Sequence, residues 1–286
     1  MRFRPELPLL VLTVLPVLAL AAEGRGSFDR TLKVAGTVDL EIETGSGAIE
    51  VRKGDSASVV IHATIHVSER GGFRRNLDER VREIEAHPPI EQSGNTIRVG
   101  QLDRELRRNI SINYEVITPA DTRLRANSGS GHVRVEDLKG TVDATTGSGG
   151  VTLARIGSEA RARTGSGRIE LDEITGRVDA HTGSGGIRGA RISGSIVADT
   201  GSGSVELEQT NSASIEAHTG SGGVTIRVPA QAAFDLRAHT GSGSITVDHP
   251  MTVSGTIGHH DLQAKVRGGG SSLVDVRTGS GSIRIE

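Results

Sequence analysis

The chain has 286 residues, a formal net charge of −2, no Cys, no Trp, one Tyr, four Phe and 39 Gly. Without cysteine there are no disulfides, no thiol chemistry, no Cys-ligated zinc and no lipidated N-terminal cysteine. The near-zero net charge supplies no overall field for nucleic acid, and so few aromatics require a core layered from Ile, Val, Leu and Ala.

Residues 1–21 read as an export signal: Arg2 and Arg4 precede an apolar run over 7–20, and Ala19-Leu20-Ala21 is a small-x-small cleavage site. Pro8 and Pro16 interrupt that run, which is short of the ~20 apolar residues of a membrane span. The expectation is cleavage near Ala21. It leaves a mature chain, 22–286, with no membrane span, placed in the periplasm, the cell envelope or the medium.

At Thr44 begins the first of nine copies of a signal, a Thr or Ser followed by Gly-Ser-Gly, which start at Thr44, Ser128, Thr146, Thr164, Thr182, Thr200, Thr219, Thr240 and Thr278. After Thr44 the period is broken. Residues 57–67 read as a strand, and an insertion over 69–109 follows. Within it Phe73, Leu77, Val81 and Ile84 form an apolar stripe at helical spacing, predicting a helix over about 74–86. Asn76 with Glu79 resembles a capping box and Pro88-Pro89 ends the helix. Residues 90–99 predict a hairpin turning at Ser93-Gly94-Asn95, and 110–117 another strand. This insertion is either a cover for the open end of a repeat array or an arm that binds a partner.

From Ser128 to Thr200 the signals stand 18 residues apart, a period that marks a stacked-repeat architecture. Five places after each signal the residue is β-branched every time (Val133, Val151, Ile169, Ile187 and so on), and seven places after it is aliphatic except at Gly189. Four and two places before stand pairs such as Val142 and Ala144 or Ile196 and Ala198. Each repeat is thus two short strands of period 2 joined by Gly-Ser-Gly. A further inward residue (Leu138, Ile156, Ile174, Ile192) precedes a second corner, where Gly140, Gly176 and Gly194 fit a backbone of positive φ. Outward residues 18 apart read Arg125, Asp143, Arg161, Asp179. In-register stacking at ~4.8 Å makes that alternation favourable. The fold class expected is all-β: a single-chain parallel β-solenoid with about 18 residues per coil and a small helix-hairpin insertion. Its hand would be right, on the general preference for right-handed parallel crossovers. Residues 249–277 read as one enlarged coil with a protruding hairpin that includes His259 and Gly268-Gly269-Gly270, before a last strand over 282–286.

Little here carries chemistry. The Gly-Ser-Gly corners lack the Lys and the helix of a phosphate loop, the strand-to-helix elbow of a serine nucleophile and the Asp of calcium-binding repeats. By parity the repeated Thr points inward or sits at the corner, which excludes a flat ice-binding Thr face. Pectate-lyase-like catalysis on a β-helix needs acids and bases clustered in a loop-walled groove, and these coils are short. His62 and His66 lie ~13 Å apart on one strand face. His181, Asp199, His218 and His239 precede the signal in four successive repeats, and stacked they would form a surface column with metal-ligand chemistry. Since Glu43, Asn127, Thr145, Arg163 and Arg277 hold the same place elsewhere, a solvated outer face is the expectation. No catalytic, cofactor or metal residue is assigned.

The export signal, the strand-Thr-Gly-Ser-Gly-strand repeats, the Tyr114-Glu115-Val116-Ile117-Thr118-Pro119 segment and the closing Thr278-Gly279-Ser280-Gly281-Ser282-Ile283 resemble the bacterial "putative adhesin" family of β-strand-repeat proteins, once a domain of unknown function and similar in shape to the adhesin-head GIN domain. The resemblance implies the solenoid fold and carries over no functional residues. The expected function is that of a non-enzymatic, exported, adhesin-like protein binding an envelope or extracellular protein or glycan. The alternative is a structural or regulatory envelope component with one dedicated protein partner, and the remaining reading is a polysaccharide-active enzyme.

Overall fold

The computed structural model describes residues 26–67, 75–102, 109–253 and 260–286; the export segment 1–21, Phe73 and His259 lie outside them. Its regular part consists of rungs, each made of a strand before the signal and a strand after it. The leading strands are β1 (Gly26–Lys33), β2 (Val38–Thr44), β3 (Ile49–Lys53) and β4 (Ser58–Val67). Helix α1 (Arg75–Ala86) and then β5 (Ile90–Ser93), β6 (Thr96–Val99) and β7 (Ile110–Thr118) follow. The array is β8 (Thr122–Ser128), β9 (Val133–Glu136), β10 (Val142–Thr146), β11 (Val151–Ile156), β12 (Ala160–Thr164), β13 (Ile169–Ile174), β14 (Val178–Thr182), β15 (Ile187–Ile192), β16 (Ile196–Thr200), β17 (Val205–Gln209), β18 (Ile215–Ser221) and β19 (Val224–Arg227).

Strands before the signal join a 13-stranded sheet and strands after it a 12-stranded sheet. Within the array all pairing is parallel and residues 18 apart stand side by side: Ala144 between Ala126 and Ala162, Val151 between Val133 and Ile169. The outward column Arg125, Asp143, Arg161, Asp179 pairs in that order, as the alternating charges require. Between the sheets lies one aliphatic core, continuous from Phe28 to Ile285. At Gly189, the exception to the aliphatic rule, the Ile192 Cδ1 atom stands 2.7 Å from where a Cβ would be and fills the gap.

The Thr of each signal turns inward, as parity requires, and is 7 % exposed or less from Ser128 to Thr278. Its hydroxyl joins two rungs. Thr164 donates to the Gly149 carbonyl of the preceding rung at 2.8 Å and accepts the Gly167 N–H of its own at 3.1 Å. Thr182 repeats this with Gly167 and Gly185, at 3.0 and 3.1 Å. The glycines are needed because backbone stacks directly on backbone. A Cβ on Gly167 or Gly185 would lie 1.8 Å from the carbonyl oxygen of Gly149 or Gly167.

The second corner departs from expectation. Its left-handed residues are not glycines but Asp137, Arg155, Glu173 and Arg191, with φ of 63°, 55°, 56° and 53°. They insert an extra outward residue ahead of inward Leu138, Ile156, Ile174 and Ile192, in the manner of a bulge. Gly140, Gly176 and Gly194 are present for close approach instead, since a Cβ there would come within 1.9–2.4 Å of backbone in the preceding rung. Charge alternates along this edge too. Arg155 reaches Asp137 at 2.6 Å and Glu136 at 2.9 Å, and the hydrogen bond from Arg155 holds the Asp137 carboxyl below its usual range.

At both ends the order of rungs in space departs from their order in the chain. The β2/β3 rung lies between β8/β9 and a rung built from β6 and β7. Beyond it, β4 runs antiparallel between β7 and β1, and β5 closes the other sheet antiparallel to β6. Leu77, Val81 and Ile84 of α1 are buried, and the Ser27 N–H of edge strand β1 donates to Glu85 at 3.0 Å. This face of the helix is therefore packing. At the far end come β20 (Phe234–Ser242), β21 (Ile245–Val247), β22 (Met251–Val253), β23 (Asp261–Val266), β24 (Leu273–Ser280) and β25 (Ile283–Ile285). The described strands of the expected hairpin lie within the sheet, and its tip, with His259, is outside the described residues. β23 pairs antiparallel with β20 and β22 with β23, which extends the sheet, and β24/β25 fills a slot between β18/β19 and β20/β21. The reason is that β20 leaves one rung position open, and the inward Val274, Val276, Ile283 and Ile285 bury completely by taking it.

Two measurements test these contacts. Thr182→Val removes the hydroxyl and strands the Gly167 carbonyl and the Gly185 N–H, so it should cost about 1–3 kcal/mol, while Thr182→Ser keeps both bonds and should cost less. Equal urea midpoints for the two variants would contradict the hydroxyl ladder. Asp137 has a lowered carboxyl, so its contribution is present at neutral pH and is lost as acid titrates the folded carboxylate. Asp137→Asn should therefore lower the thermal midpoint slightly at pH 7, less so in high salt. Wild type and variant should converge in acid, and a gap that widened in acid would contradict the sign.

Candidate functional site

An open groove of about 600 Å³ runs along the outside of the Thr-Gly-Ser-Gly corner, across β10, β12, β14, β16 and β18. Five rungs at ~4.8 Å make it on the order of 20 Å long. Its lining includes the column Gly165, Gly183, Gly201, Gly220 beside the buried signal threonines, and these glycines carry no side chain because a Cβ on any of them would lie 2.4–2.5 Å from the carbonyl oxygen of the preceding glycine in the stack. Along one side stand Thr145, Arg163, His181, Asp199 and His218, the residues just before each Thr. The close approach that fixes the corner thus also exposes a strip of peptide backbone beside a row of polar side chains.

These side chains are tied to one another. The Asp199 carboxylate lies 3.0 Å from Nδ1 of His181 and 3.2 Å from Nδ1 of His218. Nε2 of His181 meets Asp179 at 2.6 Å, and Arg161 and Arg163 reach the same Asp179 at 3.4 and 3.5 Å. At the other end His218 lies 3.8 Å from Glu216 and 4.0 Å from Asp275, which Arg277 holds at 2.9 Å. Asp179 and Asp275 are the most enclosed of these carboxylates, with side chains 16 % and 14 % exposed.

The column proposed from sequence is therefore only partly assembled. His181, Asp199 and His218 are consecutive neighbours, but Arg277 stands between His218 and His239 because β24 occupies the slot before β20. His239 pairs instead with Asp261 of β23, at 2.7 Å. A guanidinium inside the column opposes cation binding there, and the imidazole nitrogens face carboxylates rather than a common point. Among the described residues no group of three or more His, Cys, Asp or Glu is placed to hold a metal ion. His62 bonds Asp29 and His66 bonds Asn113, so each has its own partner. Asp179 and Asp275, which back the groove wall, escaped sequence reasoning. Asp179 was visible only as a charge in the alternating column, and Asp275 reaches His218 through a reordering whose one trace is the 38-residue gap between Thr240 and Thr278.

Nucleophilic chemistry has no support at the corner. Ser148, Ser166, Ser184 and Ser202 do not line the groove, and among the described residues none of them bonds a His or a carboxylate through its hydroxyl. No described helix is long and apolar enough to cross a membrane.

Comparison with known proteins adds the family. The Toastrack DUF4097 family model matches residues 37–286. Similar solved structures include a protein described as a putative adhesin from Bacteroides fragilis NCTC 9343, with 13 % identity and a TM-score of 0.49, the match covering 92 % of this chain and 98 % of that one. A second, described as a putative cell adhesion protein from Clostridium sporogenes ATCC 15579, has 10 % identity and a TM-score of 0.19, covering 91 % of this chain and 98 % of the other. No curated protein matches. The family model spans the whole stacked array, and its β-repeat character is the one expected from the recurring corner signal: the chain belongs to the Toastrack DUF4097 family.

Proposed function

We propose that this is a non-enzymatic binding protein, exported to the cell envelope or beyond it, that holds an extended glycan along the corner groove. The observation that carries the reading is the groove itself. It is open along five rungs, has a strip of glycine backbone along it, and offers a donor or acceptor at every ~4.8 Å step. A bare backbone strip admits the flat face of a sugar ring, and Arg163, His181, Asp199 and His218 offer hydroxyl-binding chemistry of both polarities. An extended polypeptide rises ~3.3 Å per residue and falls out of step with such rungs. An extended glycan, whose units are longer, matches them better.

Binding rather than turnover is supported by how the charges are used. The Asp199 carboxylate bridges two imidazoles and Asp179 is shared by His181 and two arginines, and among the described residues lining the groove Asp199 is the one carboxylate, where glycoside hydrolysis uses a pair. Export is supported by Arg2, Arg4, the apolar run over 7–20 and the Ala19-Leu20-Ala21 site.

The test is to pass the mature chain, 22–286, over arrays of envelope and host-surface glycans and to assay the same glycans for new reducing ends. The expected result is retention of linear polysaccharide without cleavage, weakened roughly 10-fold by Arg163→Ala, the cost of one charge-assisted hydrogen bond, with unchanged circular dichroism. Cleavage would overturn the non-enzymatic part. No retained glycan, with crosslinking in cells to a single envelope protein, would replace this reading by that of a dedicated structural partner.

A further inference from the structure

At the slot occupied by β24 and β25 chain order and spatial order part company at the cost of a gap in both sheets, whereas β7 fills a gap between β3 and β4 in one sheet alone. Going from β19 to β20 the chain skips a full rung, and residues 273–286 return to fill it. The slot is furnished on every side. β24 pairs in parallel with β18 and β20, and β25 with β19 and β21. Val274, Val276, Ile283 and Ile285 are at most 1 % exposed within it. The corner bonds also run through it: Thr278 donates to the Gly222 carbonyl at 2.9 Å and Thr240 to the Gly281 carbonyl at 2.8 Å. Only a segment with the array's own inward pattern satisfies both sheets, the Thr240 hydroxyl and the Gly222 carbonyl.

We propose that this slot is a strand-acceptor site whose second occupant is residues 273–286 of another copy, so that two chains pair by reciprocal exchange of their β24/β25 segments. Three observations point to a second copy. Every contact within the slot is the same whichever chain supplies the strands, so exchange keeps the buried area and the hydrogen bonds and alters only the hinge and the association entropy. All four neighbouring strands precede the segment in the chain, so the slot stands open while the segment is still being made, when a neighbouring copy competes for it. The hinge is built to open: it steps across β20 through Arg267, Gly268 and Gly269, with φ of 50°, 88° and 82°, and left-handed backbone at an arginine is strain that an extended hinge releases.

The absence of native cysteine makes a direct test possible. Thr225 and Arg284 are register partners across β19 and β25 on the outer face, close enough for a disulfide in a parallel pair. Thr225→Cys and Arg284→Cys single variants, mixed, unfolded and refolded together at high concentration, then oxidised, should give a covalent dimer containing one of each. Its yield should exceed by at least tenfold that of either variant alone. The Thr225→Cys/Arg284→Cys double variant should link within one chain in the monomer fraction and between chains in the dimer fraction. If the double variant closes only within one chain while the mixed singles give no more dimer than the separate ones, exchange does not occur. His218→Cys with Arg277→Cys, partners in the other sheet, repeats the test should the first pair fail to fold. Glycan binding enters neither readout, so failure here leaves the proposed function standing, and the reverse holds as well.

Discussion

The structure depends on one constraint, the direct stacking of backbone on backbone at the Thr-Gly-Ser-Gly corner. Rungs ~4.8 Å apart leave no room for a Cβ along the stacking direction, and the distances of 1.8–2.5 Å found for the corner glycines from Gly47 onward show that the room is absent. Glycine alone would make the corner loose, since it gives up the most conformational freedom on folding. The inward Thr counters this by fastening its hydroxyl to the rung before and to its own turn. The repeated tetrapeptide therefore combines two requirements, closeness and fixation, and at Ser128 the hydroxyl alone suffices.

A stack built this way is open-ended by nature, and its two ends are finished differently. One end turns antiparallel in both sheets and adds α1, whose Glu85 occupies an edge N–H of β1. The other finishes one sheet with an antiparallel β23 and β22 and the other with the three-residue β21, a short edge that offers little to a passing strand. The slot filled by β24/β25 lies just inside this second end. Closure there waits for the segment furthest along the chain, which sets it apart from the array, where each rung stacks on the one made just before it.

What the sequence made legible was whatever depends on the spacing of 18. The parallel register, the inward and outward residues and the charged column from Arg125 to Asp179 were all readable, because one period places each residue above its counterpart. What it hid was non-local. Nothing near His218 announces that Arg277, rather than His239, will be its neighbour; that follows from a loop long enough to carry β24 back past β20. The second corner misled for a different reason. Glycine serves both positive φ and close approach, and residue identity does not distinguish them. Only the backbone shows that the left-handed places belong to Asp137, Arg155, Glu173 and Arg191. The groove was half visible: its wall was read as a column of imidazoles and carboxylates, while its glycine strip was seen only as corners.

The groove, the charged wall and the strand slot all exist only if each rung lies squarely on the last. Spin-label distances along one outer column measure this most directly, and a cysteine-free chain permits clean labelling. Arg134, Thr152, Glu170, Arg188 and Glu206 form such a column. Labels at 134 and 188 should lie about 14 Å apart and labels at 134 and 206 about 19 Å, one further rung at ~4.8 Å for 18 further residues. Distances that fail to grow by this step, or that grow with contour length as in an extended chain, would contradict the stacked-rung account.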